Sequence, residues 1–304
     1  MPEIAIMIEG QYGLTWSRWQ KIARLVEELG FVGLYRSDHF TNASPPDLES
    51  LELWTSLTWL ADNTKRIEFG PLVTPFSFRH PAMTARMASA VDDLSGGRLT
   101  LGLGAGWQDR EHQLFGFDLL DPKPRFDRFD EGMEVVTRLL LSDEPVTFEG
   151  KYYQIRGATL LPRPQRSGGP RILVGGNGGK RTMANVMRYA AEWNCNFQTM
   201  ADFSRLNTLL TEMLTAAGRK PESVRRSLMT GCVFGKDDAA LREKITARKR
   251  TFDELHGRGI IVGNASQVRE QLHELEQAGL QRIMLQWLDL DDLPGLEALA
   301  KAVL

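Results

Sequence analysis

Asp38 and His39 directly follow a short apolar run at residues 31–37 and are the clearest candidates for chemistry. The unperturbed pKa of histidine lies near neutrality, so a histidine at the end of a strand can exchange a proton with a substrate or polarise it. A core histidine that bonds only to the neighbouring aspartate is the competing interpretation, because paired titratable groups often have a structural role. The two residues by themselves leave both interpretations open.

A second candidate site is the glycine-rich segment Gly175-Gly176-Asn177-Gly178-Gly179, which precedes a predicted helix at Lys180-Arg181. Glycine lets the backbone approach a ligand closely, and a helix N-terminus offers free N–H groups and the positive end of a dipole. Four glycines in five residues therefore predict a phosphate cradle. An ordinary strand-to-helix turn with a basic cap is the alternative.

The segment Gly102-Leu-Gly-Ala-Gly-Trp107 alternates small residues at the end of another predicted strand. Such a pattern indicates close backbone approach, either to a ligand or to a neighbouring part of the protein. The aromatic residues near strand ends predict an apolar or aromatic pocket, although core packing explains most aromatic residues equally well. They are Trp16, Trp54, Phe76, Trp107 and Trp287.

Other classes of chemistry find little support. Paired acids for glycoside hydrolysis are not obvious, and no two of the five histidines share a metal-ligand spacing, so we expect no metal site. Cys195 and Cys232 are far apart and are expected to be small buried residues. A formal net charge of -2 gives no sign of nucleic-acid binding, and no signal peptide or membrane span is recognisable. We therefore expect a cytoplasmic protein that binds a large, planar, anionic molecule.

The elements that must position these residues alternate between short apolar runs and amphipathic helical patterns. Eight strands, each followed by at least one helix, predict an α/β fold of the (β/α)8 TIM-barrel type, formed by a single domain over residues 1–304. A hairpin insertion is expected near 145–157 and an irregular connection near 251–264. An open doubly wound sheet is the runner-up, but the residues after the first strand, Glu9 to Gly13, lack its glycine fingerprint.

Several segments together resemble the luciferase-like monooxygenase superfamily, particularly its branch that uses the deazaflavin coenzyme F-420. The matching segments keep their order over nearly the whole chain. They are Ser37-Asp38-His39-Phe40, Gly70 to Pro75, Phe78 to Pro81, Leu94 to Trp107, Glu111-His112 with Phe115-Gly116, Gly175-Gly176 with Arg181-Thr182, Ala191 to Asn194, and Ile261 to Asn264.

The resemblance implies a barrel, often a homodimer, with F-420 or FMN bound in its mouth. His39, with Asp38, is expected to act as general acid/base or polariser. Val73 and Thr74 match a bulge that often holds a non-proline cis peptide bond against the ring. The other implied cofactor residues are Ala105, Gly106 and Trp107 at the ring, Gly175, Gly176, Asn177 and Gly178 at the phosphate, and Cys195 and Asn196 beside the phosphate. Arg163, Arg166, Lys180 and Arg181 are candidates to attract the acidic tail of F-420.

The chain departs from part of the F-420 branch in two places. Several F-420 enzymes place a glutamate where this chain has Trp107, and some carry a tryptophan where residues 42–46 lie. These differences put the sugar-phosphate-dehydrogenase type in doubt. Glu9 or Glu111 could supply a carboxylate instead, although Glu111 could equally be a first-turn helix acid.

The leading hypothesis is therefore F-420-dependent hydride transfer to or from a small organic substrate. The alternative is an FMN-dependent monooxygenase supplied with reduced flavin by a separate reductase, and a third possibility is a non-catalytic flavin-binding barrel. An isomerase or aldolase barrel for phosphorylated sugars would need a catalytic lysine or paired acids at strand ends, and the sequence provides neither.

Overall fold

The computed structural model describes all 304 residues and contains a barrel of eight parallel strands. Short apolar runs form these strands because their side chains are buried both inside the barrel and beneath the surrounding helices. The strands are β1 (Glu3–Ile8), β2 (Gly33–Arg36), β3 (Glu68–Pro71), β4 (Thr100–Gly104), β5 (Arg171–Gly175), β6 (Glu192–Asn196), β7 (Arg225–Phe234) and β8 (Arg282–Gln286).

The strands follow one another around the barrel in chain order, and β1 pairs with β8 from Glu3–Arg282 to Met7–Gln286. The junction between β3 and β4 is the thinnest: a single bridge joins Phe69 to Leu99. Beyond it, the two-residue strand Thr74–Pro75 continues the direction of β3 and pairs with Leu103 and Gly104 of β4. The predicted TIM barrel is confirmed, with a weak seam on the side that carries the third strand.

Eleven helices accompany the strands. They are α1 (Trp16–Leu29), α2 (Leu53–Asn63), α3 (Pro81–Leu94), α4 (Asp109–Phe115), α5 (Pro122–Leu141), α6 (Lys180–Tyr189), α7 (Met200–Ala216), α8 (Asp238–Ala247), α9 (Phe252–His256), α10 (Ala265–Gln277) and α11 (Leu293–Val303). None of them is long and apolar enough to cross a lipid bilayer.

Local sequence determines where several helices begin and end. The Thr15 side chain accepts a hydrogen bond from the Arg18 backbone and caps the start of α1, and Gly30 ends α1 with a φ of 98°. Asn264 and Gln267 form a reciprocal capping box at the start of α10.

The core has two layers. A cluster of 63 buried residues fills the space between the barrel wall and the helices. A smaller cluster of seven, including Met7, Leu173, Met229 and Met284, fills the barrel interior. Side chains alternate between these two layers along each strand, so only the residues that face the barrel interior can reach its mouth.

The amino-terminal end of the barrel is closed by a charged network around Arg282, whose side chain is 1% exposed. Its guanidinium donates to Glu3 at 2.7 Å, Glu68 at 2.8 Å and the hydroxyl of Tyr35 at 2.8 Å. Burial of a charge is tolerated only where partners compensate it, so this group of side chains acts as a fixed plug.

Two insertions interrupt the repeating pattern. Strands Val146–Glu149 and Gln154–Ala158 form the expected antiparallel hairpin. The segment 251–264 is more regular than expected, because it contains α9 and the strand Ile261–Gly263, which pairs with the end of β7. A Thr251–Glu254 capping box begins α9, and this pattern favours a helix over the expected irregular connection.

Candidate active site

A cavity of about 430 Å³ opens where the strands end. This is the end of a (β/α)8 barrel at which ligands bind. Its lining residues belong to the strands β4 to β7 or to the segments that follow β1 to β6, and none comes from β8. The lining residues are Glu9, Ser37, Asp38, His39, Leu72, Val73, Pro75, Phe78, Gly104, Ala105, Gly106, Trp107, Glu111, His112, Phe126, Phe129, Gly175, Gly176, Asn177, Thr182, Asn194, Asn196, Phe197 and Met229.

His39 is held in this cavity by Glu111. The Nδ1 atom of His39 lies 2.7 Å from Oε1 of Glu111, whose side chain is 1% exposed, and the other carboxylate oxygen accepts from the Phe40 backbone at 2.9 Å. Helix α4 supplies Glu111 and the loop after β2 supplies His39. The competing interpretation, a histidine bonded to Asp38, is wrong, because the hydrogen-bond partner of His39 is Glu111.

The electrostatic surroundings favour the charged form of His39. Burial by itself lowers the pKa of His39, but the hydrogen bond to Glu111 and the negative charges of Glu111, Glu9 and Asp38 outweigh it, and the net effect raises the pKa. His39 can therefore hold a proton at a higher pH than an exposed histidine, which suits a group that donates or accepts one.

Asp38 has a different set of partners. Its Oδ2 accepts from the Thr74 hydroxyl at 2.6 Å, and the Arg79 guanidinium binds both of its oxygens. Burial raises the pKa of Asp38 although Arg79 and Thr74 oppose the change. Asp38 thus links the end of β2 to the residues after β3, and Arg79 takes part in this link.

The predicted bulge after β3 is present. The Leu72–Val73 peptide bond is cis, one residue before the expected Val73–Thr74 pair. The Val73 side chain points into the cavity wall, where a methyl group added at Gly104 would lie 2.5 Å from its Cγ2. A methyl group at Gly102 would lie 2.1 Å from the Pro71 carbonyl oxygen. The alternating glycines of β4 therefore make room for the bulge, and for Gly102 the second alternative holds, since its close approach is to the end of β3 and not to a ligand.

The glycine-rich segment is divided between two environments. Gly175, Gly176 and Asn177 line the cavity, and the Asn177 side chain accepts a hydrogen bond from the Asn196 backbone at 2.8 Å. Gly178 lies against α7, where an added methyl group would be 2.5 Å from Leu206 Cδ2. Of the residues expected to form the cradle, only the first three therefore line the cavity, and Thr182 in the first turn of α6 lines it beside them.

Most of the basic residues expected to attract the acidic tail of F-420 form ion pairs or hydrogen bonds with other parts of the protein. Arg181 binds Asp127 and Asp130 of α5. Arg163 donates to the Leu139 carbonyl at the C-terminal end of α5, which lies near the amino-terminal face of the barrel. Arg166 pairs with Asp92 near the same face. Lys180 alone remains exposed beside the glycine-rich segment.

The alternation of β6 decides which of its residues reach the cavity. Asn194 and Asn196 line it, whereas the fully buried Cys195 points into the layer between the barrel and the helices. Cys195 is therefore not brought to the site expected for it. Because side chains alternate along a strand, the sequence of residues 192–196 predicts that Asn194 and Asn196 share one face and that Cys195 lies on the other.

The aromatic wall also differs from expectation. Of the five aromatic residues named from the sequence, only Trp107 lines the cavity, and its indole stands edge-on to His39 with ring centroids 5.5 Å apart. Trp54, Phe76 and Trp287 are buried outside it. Trp16 is exposed on α1. The other aromatic lining residues are Phe78, Phe126, Phe129 and Phe197.

Glu9 is a further carboxylate of the cavity wall. Its two oxygens accept hydrogen bonds from Gln286 at 2.7 Å and Gln11 at 2.9 Å, and it lines the cavity. The sequence predicts Glu9 and Glu111 as possible acids, and the structure places both in one cavity with His39.

Comparisons with known proteins agree with this geometry. The family model described as luciferase-like monooxygenase matches residues 5–253. The chain is 30% identical over 224 residues to F-420-dependent glucose-6-phosphate dehydrogenase of Kineococcus radiotolerans, covering 71% of this chain and 64% of that protein. It is 33% identical over 162 residues to 4-hydroxyprotoasukamycin monooxygenase of Streptomyces nodosus subsp. asukaensis, covering 53% and 42%. The matches thus span less than two thirds of these relatives.

Among solved structures, the fold is similar to that of an F-420-dependent secondary alcohol dehydrogenase in complex with an F-420–acetone adduct. The TM-score is 0.86 at 18% identity, and the match covers 99% of this chain and 98% of the other. This likeness extends the agreement in fold to the whole chain.

Proposed function

The chain belongs to the luciferase-like monooxygenase family, and we propose that it is an oxidoreductase that moves a hydride between coenzyme F-420 and a small organic substrate. One observation carries the proposal. A histidine fixed by a buried glutamate shares a single cavity with a glycine-rich wall at the start of a helix. This arrangement unites a proton-exchanging group with a place for a phosphate-bearing cofactor.

The residues present fit such a cofactor. A methyl group at Gly176 would lie 3.0 Å from Thr182 Cγ2, so glycine lets the backbone of this wall pack closely against the first turn of α6. In our proposal Gly175, Gly176, Asn177, Asn196 and Thr182 hold the phosphate. Val73, Ala105, Gly106 and Trp107 hold the ring system. Bound F-420 supplies a carbon centre that accepts or releases a hydride and does not activate oxygen.

The protein's own contribution is proton handling and exclusion of water. With Nδ1 bound to Glu111, the Nε2 atom of His39 is the ring nitrogen free to meet a substrate oxygen. Glu111 stabilises the imidazolium form and fixes the orientation of the ring, as a carboxylate does for a catalytic histidine. Trp107 and Phe78 flank this position with apolar surface.

A second candidate is an FMN-dependent monooxygenase that receives reduced flavin from a separate reductase. The similarity to 4-hydroxyprotoasukamycin monooxygenase favours it, since the level of identity is comparable to that with the F-420 relative. The same cradle would hold the single phosphate of FMN.

Titration of the purified protein with F-420 and with FMN, side by side, distinguishes the F-420-dependent oxidoreductase from the FMN-dependent monooxygenase. We expect a change in the visible absorbance of F-420 with saturable binding, and weaker binding of FMN. Tight binding of FMN alone would favour the monooxygenase, and absence of binding by either cofactor would contradict both candidates.

We further propose a cytoplasmic homodimer in which residues 1–304 act as one domain, and, if FMN is the cofactor, a partner reductase. The resemblance to the family supports these points. Sedimentation of the purified protein would test the dimer, and a mass near that of one 34.2 kDa chain would contradict it.

A further inference from the structure

Helix α4 carries Glu111, the hydrogen-bond partner of His39, but it is too short to hold its own position. It has seven residues, and no side chain caps its N-terminus. Isolated helices shorter than about 12 residues are marginal in water, so the position of α4 depends on its contacts with other elements. The orientation of His39 therefore depends on the groups that hold α4 against the loop after β2.

The inner contacts between this loop and the start of α4 involve only the residues next to His39. The side-chain amide of Gln108 donates to the Thr41 carbonyl oxygen at 2.9 Å, and both residues are buried. Glu111 accepts from the Phe40 backbone at 2.9 Å in addition to its contact with His39. These contacts reach no further along the loop than Thr41.

Arg110 extends the contact to the rest of the loop. Its guanidinium donates to the two carboxylate oxygens of Asp47, at 2.7 Å each, and to the Asn42 carbonyl oxygen at 3.0 Å. Residues 42–49 form no helix or strand, so Arg110 connects the two ends of an irregular segment. Arg110 is also the immediate neighbour of Glu111 in α4, and it therefore links the loop to the residue that orients the histidine.

The geometry of the Arg110–Asp47 ion pair distinguishes it from most pairs at a protein surface. The two side chains are 26% and 45% exposed, and a single exposed pair generally contributes little to stability. Two parallel N–H···O bonds between a guanidinium and a carboxylate, however, fix the relative orientation of both groups as well as their distance. The pair thus restricts how far α4 can move from the loop that carries His39.

We propose that Arg110 and Asp47 are positioning residues for His39, because their ion pair holds Glu111 against the imidazole ring. Neither residue lines the cavity, so loss of the pair lowers the rate without removing any group that lines the site. This inference rests on the proposed function, since it assigns His39 a part in proton exchange. Its test includes a measurement that requires neither cofactor nor turnover.

The variant Arg110→Gln separates positioning from direct electrostatics. Loss of a positive charge would by itself raise the pKa of His39. Burial lowers this pKa, and the hydrogen bond to Glu111 with the charges of Glu111, Glu9 and Asp38 outweighs burial, so a loosened Glu111 contact lowers the pKa. We expect an NMR titration of the imidazole to show a lower pKa in the variant.

The rate should change in parallel. We expect kcat of Arg110→Gln to fall by a factor of about 3 to 10, since small displacements of a catalytic group are costly, with KM and the affinity for F-420 unchanged. A pKa of His39 that is unchanged or raised would overturn the proposal, and so would a wild-type kcat in a variant that turns substrate over. A protein that binds neither F-420 nor FMN contradicts the proposed function separately, and the titration then decides the role of Arg110.

Asp47→Asn removes the same ion pair from the loop and decides the question when Arg110→Gln does not fold. It should lower the pKa of His39 and kcat as Arg110→Gln does. The double variant should lose no more than the single variants, because both act through one contact. Fully additive losses in kcat would overturn the proposal.

Asp291→Asn is the matched control. Arg18 and Asp291 form another exposed pair with two hydrogen bonds, at 3.0 Å and 2.6 Å, which joins α1 to the segment after β8. Asp291→Asn should leave kcat and the pKa of His39 unchanged. Equal effects of Asp47→Asn and Asp291→Asn would show a general effect of surface charge and would overturn the proposal.

Discussion

The Nδ1 atom of His39 lies 2.7 Å from the Oε1 atom of Glu111, although 72 residues separate them in the chain. The bond joins the loop after β2 to helix α4, so two of the eight βα units must be correctly packed before the histidine is oriented.

Replacement of His39 by alanine should lower turnover by a factor of about 100 or more, in line with the contribution of a positioned acid or base. Steady-state rates with any accepted substrate measure the effect, and thermal unfolding checks that the variant folds. His273→Ala, whose side chain is 63% exposed on α10, is the control. An unchanged rate in His39→Ala would remove the histidine from the mechanism.

Replacement of Glu111 by glutamine should lower the pKa of His39, because it removes a negative charge and a charge-assisted hydrogen bond. The inflection in the pH–rate profile that belongs to His39 should therefore move to lower pH. An NMR titration of the imidazole measures the same pKa without turnover. An inflection that stays in place in both measurements would show that Glu111 does not set the proton affinity of His39.

The raised pKa of His39 also predicts how stability varies with pH. A group whose pKa is raised on folding stabilises the folded protein fully at pH values below its pKa in the unfolded chain, here 6.5. This stabilisation is lost as the pH rises through the pKa of the group in the folded protein. The wild-type protein should exceed His39→Gln in free energy of unfolding by more at pH 6 than at pH 9. Urea unfolding at the two pH values measures this difference, and a constant difference would contradict it.

Thr182→Val should weaken cofactor binding by a factor of about 3 to 10, the effect of one lost hydrogen bond. The residue lies in the first turn of α6 and lines the cavity beside Gly176. Thr208→Val, at an exposed position of α7, is the matched control. Equal affinity of the two variants for F-420 would place the phosphate away from this helix.

Gly104→Ala should destabilise the protein by about 1 to 3 kcal/mol, because its methyl group would collide with Val73 and overpacking of this kind is costly. Val73→Ala in the same chain should recover part of the loss. Gly179→Ala is the control, since an added methyl group there meets no atom within 4 Å. Chemical denaturation of the wild type, the single variants Gly104→Ala and Val73→Ala, and the double variant gives the coupling energy, and purely additive effects would contradict the contact.

The barrel could be predicted because its signals are local: apolar runs, helical periodicity and end caps recur along the chain. The α9 helix also has a local signal, the Thr251–Glu254 capping box, within a segment expected to be irregular. The site was harder to predict, since His39 meets Glu111 through packing of separate βα units. For Cys195, the family resemblance implied a place beside the phosphate, whereas strand alternation turns its side chain away from the cavity.

The charged plug around Arg282 lies at the opposite end of the barrel from the cavity. This separation has a practical meaning for anyone who wishes to redesign the protein. Libraries that randomise the loops at the open end leave the Arg282, Glu3 and Glu68 contacts intact, so altered selectivity and retained foldability can be sought together. Diversity introduced at the closed end would affect foldability without offering new selectivity.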